Sequence, residues 1–436
     1  MTRSEMIRTG ALYFPLVLSC IAGLVWGTRR PRVFPASLLS FLWTAPALLF
    51  LQRLNATAGW WSFANGSAWF SGMPLELYIG WAIGWGILPQ LTLLRLPLGL
   101  SVATMVALDV LVMPLCRPVV VLGPRWLVGE ATAVALVLAP ALCIARWTQQ
   151  NAHLRFRAWL QIVTSGGVFL YLLPEILFAA RPGRGWEPLL AMPGSVRQIA
   201  LQLIAVLALP GVGAVMEFAE RGGGTPIPFD PPVRLVTSGI YRYCANPMAA
   251  SCAVVLLAWA TLLRNGWLLL TPVVSVIYSA GIAEWDEGED MQRRFGETWL
   301  AYRRTVRNWM PRWRPYHAGD PARLYLAASC GPCSEVWRWL AVRNPVGLEI
   351  LAAESLPYGS IRRMRYEPAD PTDSVEGVRA MGRALEHLNL GWAVAGIALR
   401  LPLVWQFVQV MMDASGLGPR IPAAELSCQA SESTER

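Results

Sequence analysis

GGGTPIPFDPPVRLVTSGIYRYCANPM, residues 222–248, separates two strongly apolar segments. It is too polar to lie in a bilayer. A connection of this length is uncommon in a compact chain unless it has a function or is disordered. The stretch is patterned rather than repetitive, which points to function. It ends in Asn246-Pro247, just before an apolar run, so Asn246 is placed to cap a helix whose first residue is Pro247. Such a helix start leaves backbone N–H groups facing the loop, and these attract carboxylates and phosphates. A capped connector between two membrane helices reads the same residues equally well.

Outward from this loop, the chain reads as a membrane protein. Of its 436 residues, 55% are hydrophobic and 15% charged. That balance is membrane-like rather than that of a large soluble core. The 21 tryptophans suit many crossings, because Trp is favoured at membrane interfaces. Apolar runs lie near residues 11–27, 35–51, 75–92, 99–116, 127–145, 158–180, 197–217, 249–263 and 267–283, about nine in all. Pro89 interrupts one run, and Asn265-Gly266 marks a turn between the last two, which can also form a re-entrant hairpin.

All 37 basic residues are Arg, so no Lys is present to act as a base or a Schiff-base nucleophile. The basic residues sit in short loops between apolar runs, a sign of membrane topology and not of nucleic-acid binding. Nine alternating crossings put the loops at 28–34, 93–98 and 146–157 on one side, with residues 222–248 and everything after Glu284. By the positive-inside rule that side is the cytoplasm, and the N-terminus is outside. A multi-pass protein of the cytoplasmic membrane is expected. Asp109 and Glu130 are ionisable residues in or near apolar runs, and each reads as a functional group or as an interfacial one.

Two blocks carry a resemblance. Leu235–Met248 resembles the L-V-x-x-G-x-Y-x-x-x-R-H/N-P segment of the isoprenylcysteine carboxyl methyltransferase family, part of a wider group of integral-membrane methyltransferases that includes phospholipid methyltransferases. Glu287, Met291, Phe295, Gly296, Trp299 and Tyr302 fall on that family's E-E-x-x-L-x-x-x-F-G-x-x-Y-x-x-Y spacing. The resemblance spans residues 195–312. It implies S-adenosylmethionine as cofactor, with Leu235, Val236, Tyr241, Asn246, Pro247 and Glu287 at cofactor-contacting positions. The family Arg before H/N-P is Ala245 here, the second Glu of the carboxylate pair is Gly288, and a substrate-contacting Arg is replaced by Ala283. Cofactor binding is therefore better supported than prenylcysteine recognition.

The residue types fit the chemistry. Methyl transfer from a sulfonium gains from positioning and from exclusion of water. Tyr241 and Tyr243 can stack, the helix start after Asn246 can donate, and Glu287 can accept. Arg242 and Arg303 are candidate contacts for a lipophilic carboxylate or lipid headgroup, or else interfacial anchors. A carboxylate acceptor is already ionised at neutral pH, whereas a thiol or amine needs a base. His317 is the one His nearby. The acidic run 284–290 reads mainly as a solvated helix face, with Glu289–Arg293 and Asp290–Arg294 as pairs one turn apart.

After Pro315 the chain becomes more polar. Arg323–Ala328 reads as a short buried strand, followed by Cys330-Gly331-Pro332-Cys333, a helix at 334–343 and a second strand at Leu348–Ala352. A C-x-x-C between strand and helix is the thioredoxin-like arrangement, in which the helix start favours the first thiolate. The stretch resembles thioredoxin-like proteins, and more closely the DCC family of thiol-disulfide oxidoreductases. That family's early Asp is Ala327 here, and Ser329 stands where thioredoxins have Trp. Half of a zinc site is the alternative, but no second Cys/His pair completes it within this domain. Cys20, Cys116, Cys143 and Cys252 lie in apolar segments and read as small buried hydrophobes. In residues 391–412, Arg400 and Pro402 argue for two helices rather than a span.

The expected fold is an all-α polytopic membrane protein with a C-terminal α/β thioredoxin-like domain. Its parts are a helical bundle at 1–150, a methyltransferase-like membrane domain at 151–316, a dithiol domain at 317–420 and a disordered tail at 421–436. The expected activity is S-adenosylmethionine-dependent methyl transfer to a lipophilic small molecule, a lipid-modified substrate or a membrane lipid. It is fused to a redox domain with a thiol or disulfide partner protein. The alternatives are a membrane-anchored thiol-disulfide oxidoreductase with a degenerate membrane part, and a non-catalytic scaffold. No metal and no nucleic acid are expected.

Overall fold

The computed structural model describes residues 2–26, 32–64, 66, 68–93, 95–180, 185–225, 231–357, 361–369 and 374–419, without the side chains of 282–287. The expected disordered tail at 421–436 lies outside the described residues. The chain divides into two compact units. One comprises Met1–Ala200, Phe218–Val233 and Leu256–Thr271, and the other Leu201–Glu217, Arg234–Val255 and Pro272–Arg436.

The protein is predominantly helical. Among the described residues, six helices are long and apolar enough to cross a membrane: Arg3–Val25, Val33–Ala58, Leu98–Cys116, Trp126–Gln150, Leu154–Ala180 and Gly194–Gly222. This is a membrane protein. Leu24, Leu111, Ile199 and Leu203 point outward from these helices, the arrangement that lipid favours and water does not. The three other apolar runs form shorter helices. The run at 75–92 breaks into Leu75–Gly86 and Leu88–Thr92, with Pro89 in the first turn of the second piece. A proline there cannot continue the preceding helix. Pro247–Leu262 and Gly266–Gly281 are also short, and the Asn265 side chain accepts from the Trp267 amide at the turn between them.

In the first unit, the helix Val33–Ala58 packs on Leu75–Gly86 and Ala139–Gln150. Leu48, Leu49, Trp85, Val137, Leu138 and Leu142 form its core. Trp61–Phe63 pairs antiparallel with Val120–Leu122.

In the second unit, a four-stranded sheet follows the helical part. Ala322–Leu326 lies inside the sheet, parallel to Leu348–Ala352 on one side and antiparallel to Arg365–Glu367 on the other. Val375–Glu376 completes the edge. The helix Gly331–Ala341 connects the two parallel strands, as a parallel pair requires. Leu324, Leu326, Leu340, Tyr366, Ala380 and Leu385 fill the core between this sheet and its helices. Leu390–Arg400 and Val404–Leu417 meet at a bend of 87°, with Leu401–Leu403 between them. The two helices expected from Arg400 and Pro402 are therefore present. If the bent pair counts as one span, the number of candidate spans is seven.

Candidate functional site

The loop before Pro247 folds as a short 3-10 turn, Gly239–Arg242, and then enters the helix Pro247–Leu262. The Asn246 side chain accepts from the Ala249 amide at 3.3 Å, so Asn246 is the helix cap. The loop backbone is stitched to residues 307–316. Ala245 donates to the Arg307 carbonyl, Arg312 to the Tyr243 carbonyl and Tyr316 to the Arg242 carbonyl, at 2.9, 2.9 and 2.8 Å. The two blocks that carry the methyltransferase resemblance also meet: the Tyr302 hydroxyl donates to the Tyr241 carbonyl at 2.8 Å. Gly296 breaks the helix Glu284–Thr305 at φ +53°, a conformation that glycine adopts without steric cost.

The side chains from Val236 to Cys244 are buried or half-buried. Val236 and Tyr241 are buried, and Tyr243 is fully buried with its hydroxyl donating to the Glu386 carbonyl at 2.9 Å. The two tyrosine rings are thus packed in protein and not presented as a stacking surface. Burial pushes the Tyr243 and Tyr302 hydroxyls above their ordinary range and the Cys244 thiol up to about 11. Cys244 sits 2.8 Å from the Asn308 carbonyl. Leu235, Arg242 and Asn246 are half-buried, and Pro247 is buried. Arg303 donates to the Val306 carbonyl at 2.9 Å and lies over the Trp299 ring, so it closes its own helix end. Glu287 falls in the helix Glu284–Thr305, but its side chain lies outside the described residues. Of the expected pairs on that helix, Arg294–Asp290 forms at 3.2 Å, whereas Arg293 Nε donates to the Glu289 backbone carbonyl.

A buried charge network had no signal in the sequence. Arg383 contacts Glu217 at 2.5 Å and Glu386 at 3.3 Å, and Arg400 pairs with Glu386 and lies 3.9 Å from Glu217. Ser238 donates to Glu217 at 2.5 Å. Gly239, at φ +59°, passes so close that a Cβ there would lie 2.9 Å from the Glu217 carboxyl carbon. Two carboxylates and two guanidiniums balance, as buried charges must. The network ties the end of an apolar helix, the loop and the helices Val378–Leu385 and Leu390–Arg400 together.

His387 is buried beside it. Its Nδ1 lies 2.8 Å from the Val346 carbonyl, and its Nε2 lies 3.0 Å from the Tyr366 hydroxyl. Nδ1 therefore carries the proton, and Nε2 accepts from Tyr366. Burial first, and Arg242 next, hold the ring well below its ordinary value, so it stays neutral. Burial and Arg242 lower His317 in the same way.

The dithiol differs in kind. Cys330 is the residue immediately before the helix Gly331–Ala341, and Cys333 is on its first turn. Both are half-buried. The approach to Cys330 is fixed by Glu354, whose carboxylate accepts from the Ala328 amide at 3.1 Å, the Ser329 amide at 3.0 Å and the Ser329 hydroxyl at 2.8 Å. Burial works to raise this carboxyl, but these donors outweigh it and bring it down to about 2. Cys330 and Cys333 line a cavity of about 290 Å³. Its other walls include Leu326, Val336, Met364, Met381, Val408 and Met412. Residues from the strand, the dithiol helix and both C-terminal helices meet there, which no local pattern announces.

Asp109 and Glu130, flagged in the sequence, line a separate cavity of about 30 Å³ in the first unit. That is room for a water. Glu130 is buried, and its Oε1 has no hydrogen-bond partner among the described residues. Among the described residues no group of three or more His, Cys, Asp or Glu side chains is arranged to hold a metal ion.

Comparison with family models, with curated proteins and with solved structures finds no match to this chain.

Proposed function

We propose that the chain is a membrane-anchored thiol-disulfide oxidoreductase whose reacting groups are Cys330 and Cys333. The observation that carries this reading is their setting: one thiol at a helix start, the other one turn on, both on the wall of one apolar cavity. The C-x-x-C follows the first strand of a parallel β-α-β unit, which supports a thioredoxin-like domain. The helix start favours the thiolate of Cys330. That thiolate attacks one sulfur of a disulfide, forms a mixed disulfide and releases the first thiolate. Cys333 then attacks the Cys330 sulfur and releases the second. Two thiol protons pass to the two leaving sulfurs, and one intramolecular disulfide remains. If all nine apolar runs cross, the distribution of Arg in the loops puts this domain on the cytoplasmic side.

The test is reduction of a small water-soluble disulfide by the full chain in detergent. The reading expects turnover with a dithiol reductant, lost in Cys330→Ser and in Cys333→Ser. Wild-type turnover no faster than the reductant alone would reject it.

A second reading, S-adenosylmethionine-dependent methyl transfer to a lipophilic carboxylate, thiol or lipid, is favoured by one contact. The hydrogen bond from Tyr302 to Tyr241 joins the two blocks that resemble membrane methyltransferases. In this reading the first-turn amides after Asn246 and Pro247 receive the cofactor carboxylate, and Leu235, Val236 and Glu287 stand around it. Arg242 and Arg303 are its substrate contacts. Equilibrium binding of labelled S-adenosylmethionine tests it, with saturation expected in wild type and loss in Glu287→Ala. Absence of binding to folded wild-type protein removes this reading and leaves the first intact.

A further inference from the structure

The cavity beside the dithiol is apolar, partly open and of a size that suits a small apolar molecule. Leu399 from one C-terminal helix and Val408 and Met412 from the next line it together with the thiols and Val336 of the dithiol helix. At about 290 Å³ it lies near the lower end of the roughly 300–1,000 Å³ usual for small-molecule sites.

Two further features select the occupant. Arg363 lines the cavity, and its guanidinium is held by Asp413 at 2.6 Å. A guanidinium on an otherwise apolar wall is a donor for a ligand carbonyl oxygen, above all one that gains negative charge during reaction. The second feature is the outer face of Val404–Met412. Phe407, Val410 and Met411 are exposed there, with Leu403 just before the helix. Their spacing puts them on one helical face. Apolar side chains therefore lie both toward the cavity and toward the outside of this helix, in a chain with six membrane-length helices among its described residues. That arrangement suits a ligand drawn from lipid.

Resting on the oxidoreductase reading, we propose that this cavity binds a lipophilic quinone, which the dithiol reduces. Cys330 and Cys333 together lose two electrons and two protons and form one Sγ–Sγ bond. The quinone gains both electrons and both protons and leaves as the hydroquinone. The Cys330 thiolate delivers the first bond to the quinone. Cys333 breaks that bond by attacking the Cys330 sulfur, and the Arg363 guanidinium is the cavity's donor for the oxygen on which charge develops.

The experiment is a single-turnover reaction of the reduced full chain, freed of reductant, with a fully ring-substituted short-tailed benzoquinone. A water-soluble disulfide is run in parallel. The expected result is one quinone reduced for each Cys330–Cys333 disulfide formed. Met381→Trp and Val408→Trp fill the cavity from different walls. Each is expected to lower the ratio of quinone rate to soluble-disulfide rate by at least tenfold, and agreement between the two excludes a folding defect peculiar to one. Reduction of the soluble disulfide without reduction of the quinone overturns the inference and leaves the oxidoreductase reading standing. An unchanged rate ratio in both Trp variants also overturns it. Failure of both reactions overturns the inference and the reading together.

Discussion

Asn246-Pro247 and Cys330-Gly331-Pro332-Cys333 are both helix starts with a proline in the first turn, but their surroundings differ. At the first, the cap is used by its own helix, the loop backbone is tied to residues 307–316, and Tyr243 and Cys244 are buried against carbonyls. At the second, two thiols stand half-buried on the wall of an apolar cavity. The same local grammar serves anchoring in one place and presents reactive groups in the other. What decides between them is whether the neighbouring chain packs against the helix start or leaves a cavity beside it.

Exchange of single atoms tests this contrast most severely. Cys330→Ser and Cys333→Ser are expected to reduce disulfide turnover to the solvent background. Cys244→Ser is expected to keep turnover, because its thiol is buried and pushed up to about 11. Loss of activity in Cys244→Ser with intact folding would erase the distinction.

The next effect is on stability. Arg383→Ala leaves Glu217 and Glu386 buried with Arg400 as their remaining cation in the network. Breaking a buried pair from one side costs about 3–5 kcal/mol, read as a lower denaturation midpoint in detergent. A change of the midpoint within error would show that the network does not fasten the loop.

Acid should act in two stages. His387 is held well below its ordinary value of 6.5, so the unfolded chain takes up that proton first. Stability present above pH 6.5 is therefore expected to fall as pH drops below it, and His387→Asn should flatten that slope. Glu354 is held at about 2 against an ordinary 4.5, so its stabilisation is present above 4.5 and lost as pH falls toward 2. Glu354→Gln should remove the second stage. Melting temperature against pH checks both.

Smaller effects belong to the loop itself. Asn246→Ala removes the helix cap and is expected to cost about 1 kcal/mol. Tyr243→Phe removes one buried hydrogen bond and costs about the same, plus the unmet Glu386 carbonyl. Neither should alter disulfide turnover. A large loss of turnover in either would mean that the loop takes part in the chemistry.

Much of this architecture is legible in the sequence where the signal is local. The Asn246 cap, the strand at Leu348–Ala352 and the break at Arg400–Pro402 each follow from a few adjacent residues, and the structure has all three. Six apolar runs are long enough to span, while Pro89 splits another and two more stay short. The charge network is a different matter. Glu217 and Arg383 are 166 residues apart, and a lone Glu at the end of an apolar run gives no hint of its partner. The strands Arg365–Glu367 and Val375–Glu376 are too short for alternation to register. The inward turn of Tyr243 is equally hidden, because a short 3-10 turn carries no period from which to read a face. The cavity draws its walls from distant segments, so it exists only once they have packed.

The central claim is that Cys330 is the attacking thiol of a reactive pair. It is tested most directly by the Cys333→Ser chain mixed with an aromatic disulfide and examined by intact-mass measurement. The expected result is a stable adduct of one aromatic thiol on Cys330, while Cys330→Ser gives none on Cys333 in the same time. Equal and slow modification of both cysteines, at the rate of an ordinary exposed thiol, would contradict it.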